Sequence, residues 1–92
     1  MPIKYTPPSP EDLAELKSEL GLTGKQMAEL AWLAGDQHWR KYTNPNPATA
    51  RQMSSHMLFT MAAQLELSPE MIEKVLNRMR SMGATIDLTE PK

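Results

Sequence analysis

The chain has 92 residues, a net charge of −1 and no cysteine. Its length fits one domain, and folding at this size buries only about 60 to 65% of the unfolded chain's surface, so we expect modest stability. The lack of cysteine excludes disulfides, thiolate metal sites and thiol nucleophiles, and is typical of a reducing cytoplasm. No apolar run reaches the roughly 18 residues of a membrane helix, and no basic-then-apolar leader begins the chain, so we expect a soluble, cytoplasmic protein.

The first 22 residues predict an extended segment followed by a supporting helix. Three prolines among residues 1–8 forbid regular helix there. Ser9 can cap a helix that starts at Pro10, and Gly21 can end it. The apolar positions of this helix recur with helical spacing at Leu13, Leu16 and Leu20. These signals predict an extended N-terminal segment 1–8, a domain over 9–83 and a C-terminal tail over 84–92.

The stretch 23–42 predicts two short helices with a tight turn between them. Thr23 and Gln26 have the spacing of a capping box, so the first helix begins at about Gly24. Gly35 then breaks the helical run. The buried face of this first helix consists of Met27, Leu30 and Ala31.

The second helix of the pair covers residues 36–42, with Asp36 as its predicted cap. Trp39 and Tyr42, three residues apart, give this helix an inward side. In DNA-binding proteins with two such helices, the second enters the major groove, where Gln can pair with adenine and Arg with guanine. The alternative is that this helix only closes a small bundle with a solvated face. Its outward side consists of Gln37, His38, Arg40 and Lys41.

Four short motifs follow one another over residues 10–67: a first helix ending in GLT, then Q-x-A-E-L, W-R-K-Y and L-x-x-x-A-A-x-L. In this order they resemble the small phage and prophage members of the Cro/repressor-type (XRE-like) helix-turn-helix family. The chain departs from that family at the turn Trp32-Leu33-Ala34-Gly35, which is one residue longer and lacks the usual early glycine. The resemblance implies an all-α, lambda-repressor-like bundle of about five helices. It also implies a dimeric transcription regulator that reads DNA with helix 36–42.

The C-terminal half predicts a loop and two further helices. Two Asn-Pro steps within residues 44–47 require the loop. One helix begins near Ser54 or Ser55 and runs to Leu65, and the last runs from Ser68-Pro69 to Gly83. The last helix has more apolar surface than a four-helix core needs, which indicates self-association. We expect the dimer interface to consist of Met71, Val75, Met79 and Met82, with Ile86 of a strand-like tail, Ala84 to Leu88.

The charge distribution decides whether DNA is a reasonable partner, because phosphate neutralisation by Lys and Arg dominates affinity. A net charge of −1 opposes DNA binding. Residues 23–58, however, carry four basic residues against Glu29 and Asp36, a balance of 4 − 2 = +2. The excess of positive charge therefore lies in residues 23–58, which include the two-helix stretch, and Lys25 and Arg51 are candidates for phosphate contact beside Arg40 and Lys41.

No catalytic or metal-binding constellation accompanies these features. The two histidines, His38 and His56, stand without cysteine or an H-E-x-x-H motif, and there is no G-x-S-x-G or phosphate-binding glycine loop. We therefore expect no enzyme activity, no cofactor and no metal. The leading hypothesis is a sequence-specific DNA-binding regulator of phage type that binds as a dimer. The alternative is a phage-type interaction protein or antitoxin that uses the same scaffold to bind another protein.

Overall fold

The computed structural model describes residues 2–46 and 50–86, which contain five α-helices and no β-strand. The expectation of an all-α chain with about five helices is confirmed over these residues. In the same part of the chain, no helix combines the length and the apolar character needed to cross a membrane. The helices are α1 (Pro10–Leu20), α2 (Gly24–Leu30), α3 (Asp36–Thr43), α4 (Ser55–Glu66) and α5 (Pro69–Ser81).

Side chains cap the starts of α1, α2 and α5 at the residues that the sequence indicates. The Thr23 hydroxyl accepts a hydrogen bond from the Gln26 amide at 3.1 Å, and the Gln26 side chain accepts one from the Thr23 amide at 2.9 Å. Ser9 and Asp12 form the same reciprocal pair at the start of α1, with both distances 3.0 Å. Each pair satisfies two amides that the start of a helix leaves without an intrahelical partner.

The start of α3 differs from the prediction. Gly35, whose backbone is extended, is the N-cap, and Asp36 is the first helical residue; no side chain caps the helix. The assignment of Asp36 as a cap is therefore wrong. Its carboxylate lies instead against Gly24 at the start of α2, where an added Cβ would collide with it, and it forms an ion pair with Arg40.

Among the described residues, three turns that end helices contain one residue with a left-handed backbone. Gly21 after α1 has φ 65°, Gly83 after α5 has φ 106°, and Trp32 after α2 has φ 58°. Two bonds close the turn at Trp32: its own amide donates to the Glu29 carbonyl at 3.1 Å, and the Leu33 amide donates to the Ala28 carbonyl at 2.8 Å. This is the Schellman arrangement, in which glycine is usual because a side chain strains the left-handed conformation. A tryptophan therefore occupies a glycine position between α2 and α3.

The chain consists of two compact units, Met1–Ala62 and Ala63–Lys92, whose boundary falls inside α4. In the first unit, both α1 and α2 pack against α3. Met53 belongs to the core of this unit although the sequence does not indicate it, because it lies in an irregular stretch before α4 and has no helical periodicity. The buried residues of this core are Leu13, Met27, Ala28, Ala31, Trp39, Tyr42, Met53 and Met61.

The second unit contains the end of α4 and the whole of α5. On α5, Leu76 is buried and Met79 is half-buried. Three other predicted interface positions are exposed: Met71 at 44% and Val75 at 46% on α5, and its C-cap Met82 at 78%. Residues 84–86 form no strand, and the rest of the predicted strand-like tail lies outside the described residues.

Candidate functional site

Helix α3 separates its apolar and polar side chains onto opposite faces. Trp39 and Tyr42 are only 1% and 6% exposed, as the sequence predicts. Gln37, Arg40 and Lys41 are exposed and lie at positions i, i+3 and i+4, which places them on one face of the helix. Packing of α1 and α2 against the apolar side holds this polar face toward solvent.

His38 does not belong fully to that exposed face. Its side chain is half-buried, whereas the sequence pattern places it outward with Gln37 and Lys41. On the helix, His38 lies between the exposed Lys41 and the buried Tyr42, because successive residues are rotated by about 100°. The prediction that all four polar residues face outward therefore holds for three of them.

The start of α2 brings Lys25 to the first turn of α3. Gly24 approaches the Asp36 carboxylate so closely that a Cβ at Gly24 would overlap it. Lys25, the next residue, is exposed. A predicted phosphate contact from α2 thus lies beside the N-terminal end of α3.

The segment after α3 brings Arg51 to the other end of the helix. The Arg51 amide donates a hydrogen bond to the Lys41 carbonyl at 2.8 Å, and the Arg51 side chain is exposed. The predicted positions Lys25 and Arg51 therefore lie near opposite ends of α3, a helix of eight residues whose length is about 12 Å.

Helix α1 adds a cation that sequence reasoning missed. Lys17 and Ser18 line a cavity of about 440 Å³ together with Arg40 and Thr43 of α3. The sequence indicates only a supporting role for α1, because Lys17 and Arg40 line the same cavity only through packing of α1 on α3. No local motif could have predicted this neighbourhood. We refer below to Lys17, Lys25, Arg40, Lys41 and Arg51 as the basic surface.

An ion pair modifies the charge of the basic surface. The Asp36 carboxylate lies 3.4 Å from the Arg40 guanidinium, and their side chains are 44% and 70% exposed. Exposed pairs of this kind contribute about 0 to 1 kcal/mol, so Arg40 can exchange this partner for another anion or for a base edge. Asp36 also places a negative charge in the first turn of α3, where it stabilises the helix by interacting with the positive end of the helix dipole.

This surface offers cations and hydrogen-bonding groups. Exposed Lys and Arg side chains neutralise phosphates, and Gln and Arg can form two hydrogen bonds with a base edge. Within residues 2–46 and 50–86, no group of three or more His, Cys, Asp or Glu side chains is arranged to hold a metal ion.

Comparison of the chain with protein-family models, curated proteins and solved structures gives no match. The functional assignment therefore depends on the geometry and charge of the chain itself.

Proposed function

We propose that this protein is a sequence-specific DNA-binding transcription regulator of phage type. In this proposal α2, the turn at Trp32 and α3 form a lambda-repressor-like helix-turn-helix, and α3 lies in the major groove. The observation that carries the proposal is the exposed face of α3, with Gln37, Arg40 and Lys41 on one side of a helix whose other side is buried in the core.

The residues of this site divide into two roles. Gln37 and Arg40 read base edges, because both side chains can form paired hydrogen bonds with a purine. Lys25, Lys41 and Arg51 bind phosphates on either side of the groove and fix the register of the protein on the duplex. His38, being half-buried, supports the helix and contacts DNA only at its edge.

A dimer supplies the affinity that one copy lacks. The chain as a whole carries a charge of −1, and one copy offers only the few cations of the basic surface. Two copies double these contacts and give the two-fold symmetry of a palindromic operator. The proposed interface consists of the exposed apolar residues Met71 and Val75 of α5 and its C-cap Met82.

The test begins with selection from random duplex DNA and continues with affinity measurements on the enriched sequence. Arg40→Ala and Gln37→Ala should each weaken binding by about 1 to 3 kcal/mol and relax the preference at one base position, without loss of fold. Lys74→Ala, which removes an exposed charge from α5, is the control and should leave base preference unchanged. For a dimer with about six phosphate contacts, the slope of log affinity against log salt should be near −5. Selection without enrichment, or full binding by both α3 variants, would overturn the proposal.

A second candidate function is binding of another protein, as in an interaction protein or antitoxin. The observation that favours it is Trp32, which is 56% exposed and has the strained left-handed backbone. Tryptophan is enriched among the residues that dominate protein interfaces. Trp32 lies beyond the C-terminal end of α2, whereas the proposed phosphate contact Lys25 lies in its first turn. Contact of Lys25 with DNA therefore does not explain why Trp32 is exposed. If Trp32→Ala leaves DNA affinity unchanged while the α3 variants lose it, the DNA-binding function stands.

A further inference from the structure

The guanidinium of Arg40 is held on one side only. Its Nε lies 3.4 Å from Oδ2 of Asp36, which is one helical turn earlier on α3. Among the described residues, neither terminal nitrogen of this guanidinium has a hydrogen-bond or ion-pair partner. The N–H donors of arginine lie in one plane, so the terminal nitrogens can donate together to O6 and N7 of a guanine. Arg40 can therefore reach a base without releasing Asp36.

The Asp36 carboxylate occupies space that the start of α2 leaves open. A Cβ added to Gly24, the first residue of α2, would overlap the other carboxylate oxygen, Oδ1. Gly24 has no positive φ, so its backbone conformation does not require glycine. The close approach of the carboxylate does require it. Asp36 thus lies between α2 and the Arg40 guanidinium, with one oxygen toward each.

A carboxylate held in this position restricts the Arg40 side chain before any ligand binds. Ordering a long side chain at an interface costs conformational entropy, and a partner that already holds the side chain reduces that cost. The pair is weak while water surrounds it. It becomes stronger where a bound ligand excludes water, because the local dielectric constant falls.

We propose that Asp36 is a positioning residue for base recognition, which holds the Arg40 Nε so that the two terminal nitrogens face a guanine. Gly24 takes part because its lack of a side chain makes room for the carboxylate. This inference rests on the proposed function and names the base that Arg40 selects. The negative charge of Asp36 opposes DNA phosphates. Asp36 therefore improves discrimination between bases without adding affinity for DNA in general.

The test uses Gly24→Ala and Asp36→Ala at the base position where Arg40→Ala relaxes the preference. Gly24→Ala keeps every charge and displaces the carboxylate, which is the end of a flexible side chain and can move without disturbing the fold. Asp36→Ala removes the carboxylate itself. Each variant should lower the ratio of affinities for the selected duplex and for one with adenine in place of that guanine by about two- to fivefold. Affinity for random-sequence duplex and the melting temperature should not fall appreciably.

Glu29→Ala is the matched control for Asp36→Ala. It removes the same charge from an exposed residue of α2 that forms no ion pair among the described residues, so the affinity ratio should stay unchanged. Gly24→Ala and Asp36→Ala are also combined with Arg40→Ala. There they should not lower the ratio further, because the side chain that they position is gone.

The outcomes separate this inference from the proposed function. If Gly24→Ala or Asp36→Ala retains the parent's ratio while Arg40→Ala lowers it, Asp36 does not position Arg40, and the DNA-binding function stands. A further loss in the Arg40→Ala background would show that Asp36 acts on the base independently, which also overturns the inference. So would selection of a base other than guanine at that position. If selection from random duplex DNA enriches no sequence, the proposed function fails as well.

Discussion

Helices α3 and α5 are both amphipathic, but α3 buries its apolar residues and α5 leaves several of them exposed. On α3, Trp39 and Tyr42 are 1% and 6% exposed. On α5, Met71 and Val75 are 44% and 46% exposed, and the C-cap Met82 is 78% exposed. The comparison shows that apolar residues at helical spacing predict a helix but do not predict how many of those residues the fold buries.

The number of packed neighbours explains the difference. Both α1 and α2 pack on α3, so its narrow apolar side is covered completely. The apolar side of α5 is wider: Ile72, Leu76 and Met79 are buried or half-buried, while Met71 and Val75 lie on an adjacent exposed face. An exposed stripe of this kind favours a further partner, since burial of apolar surface yields about 25 cal/mol per Å².

The largest expected effect on stability comes from removing the buried tryptophan of α3. Trp39→Ala should destabilise the protein by about 3 to 5 kcal/mol, the usual loss for a buried aromatic residue. The indole Nε1 of Trp39 is buried and has no hydrogen-bond partner among the described residues, so loss of packing accounts for the effect. Thermal or urea unfolding followed by circular dichroism measures it.

The chain contains its own control for this experiment, because its second tryptophan is exposed. Trp32→Ala should change the free energy of unfolding far less than Trp39→Ala. Equal losses for the two variants would show that the packing of α3 does not govern stability.

The second prediction places a charge on the exposed face of α5. Val75→Glu should leave the helix folded but dissociate the proposed dimer, and DNA binding should weaken at least about tenfold, or 1.4 kcal/mol. Met79→Glu is less informative, because Met79 is half-buried and a charge there also disturbs the unit itself. Sedimentation at tens of micromolar measures the association.

Asn77→Glu adds the same charge to a polar side of α5 and is the matched control. Asn77 already accepts a hydrogen bond from Arg80 at 2.7 Å, and a glutamate can accept one as well. If the parent protein sediments as a monomer and Val75→Glu retains full DNA binding, α5 is not a dimer interface.

Local chemistry predicts much of the architecture, and contacts between distant residues account for the rest. The capping pair Thr23 and Gln26 and the inward side of α3 follow from spacing alone, and the structure confirms them. The cavity that Lys17 and Arg40 line and the burial of Met53 depend on packing between segments far apart in sequence. Neither has a periodic or motif signal, so both were beyond prediction.

The third prediction concerns the turn before α3, compared with the turn that ends α5. Trp32 and Gly83 occupy the same position of the same hydrogen-bonded turn, both with positive φ. Trp32→Gly should stabilise the protein by about 0.5 to 1 kcal/mol, because relief of the left-handed strain exceeds the added entropy of the unfolded chain. Gly83→Ala should lose about 1 kcal/mol, since no atom crowds its Cβ position and only the backbone conformation opposes the change. Destabilisation by Trp32→Gly would mean that contacts of the indole stabilise the protein by more than the strain of the left-handed backbone costs.

The smallest expected effect concerns the start of α1, a helix that covers the apolar side of α3. Hydrogen bonding by Ser9, first from its backbone amide and then from its side chain, lowers the pKa of the Asp12 carboxyl below its ordinary value of 3.8. A carboxyl whose pKa is lowered in the folded state stabilises the fold above about pH 4, and this contribution is lost as the pH falls through the folded-state pKa. The N-cap of α5 gives no such dependence of stability on pH, because the third helical residue after Ser68 is Met71 and not an acid.

Asp12→Asn should therefore lower the melting temperature at pH 7 slightly and flatten its fall between about pH 4 and pH 2. Glu11→Gln removes a charge from the same turn but keeps the Ser9–Asp12 pair, so it should retain the parent's acid-dependent fall. Melting curves at half-unit pH steps measure both variants against the parent. Identical pH profiles for Asp12→Asn and the parent would show that the cap on α1 does not link protonation to the stability of the unit that holds α3.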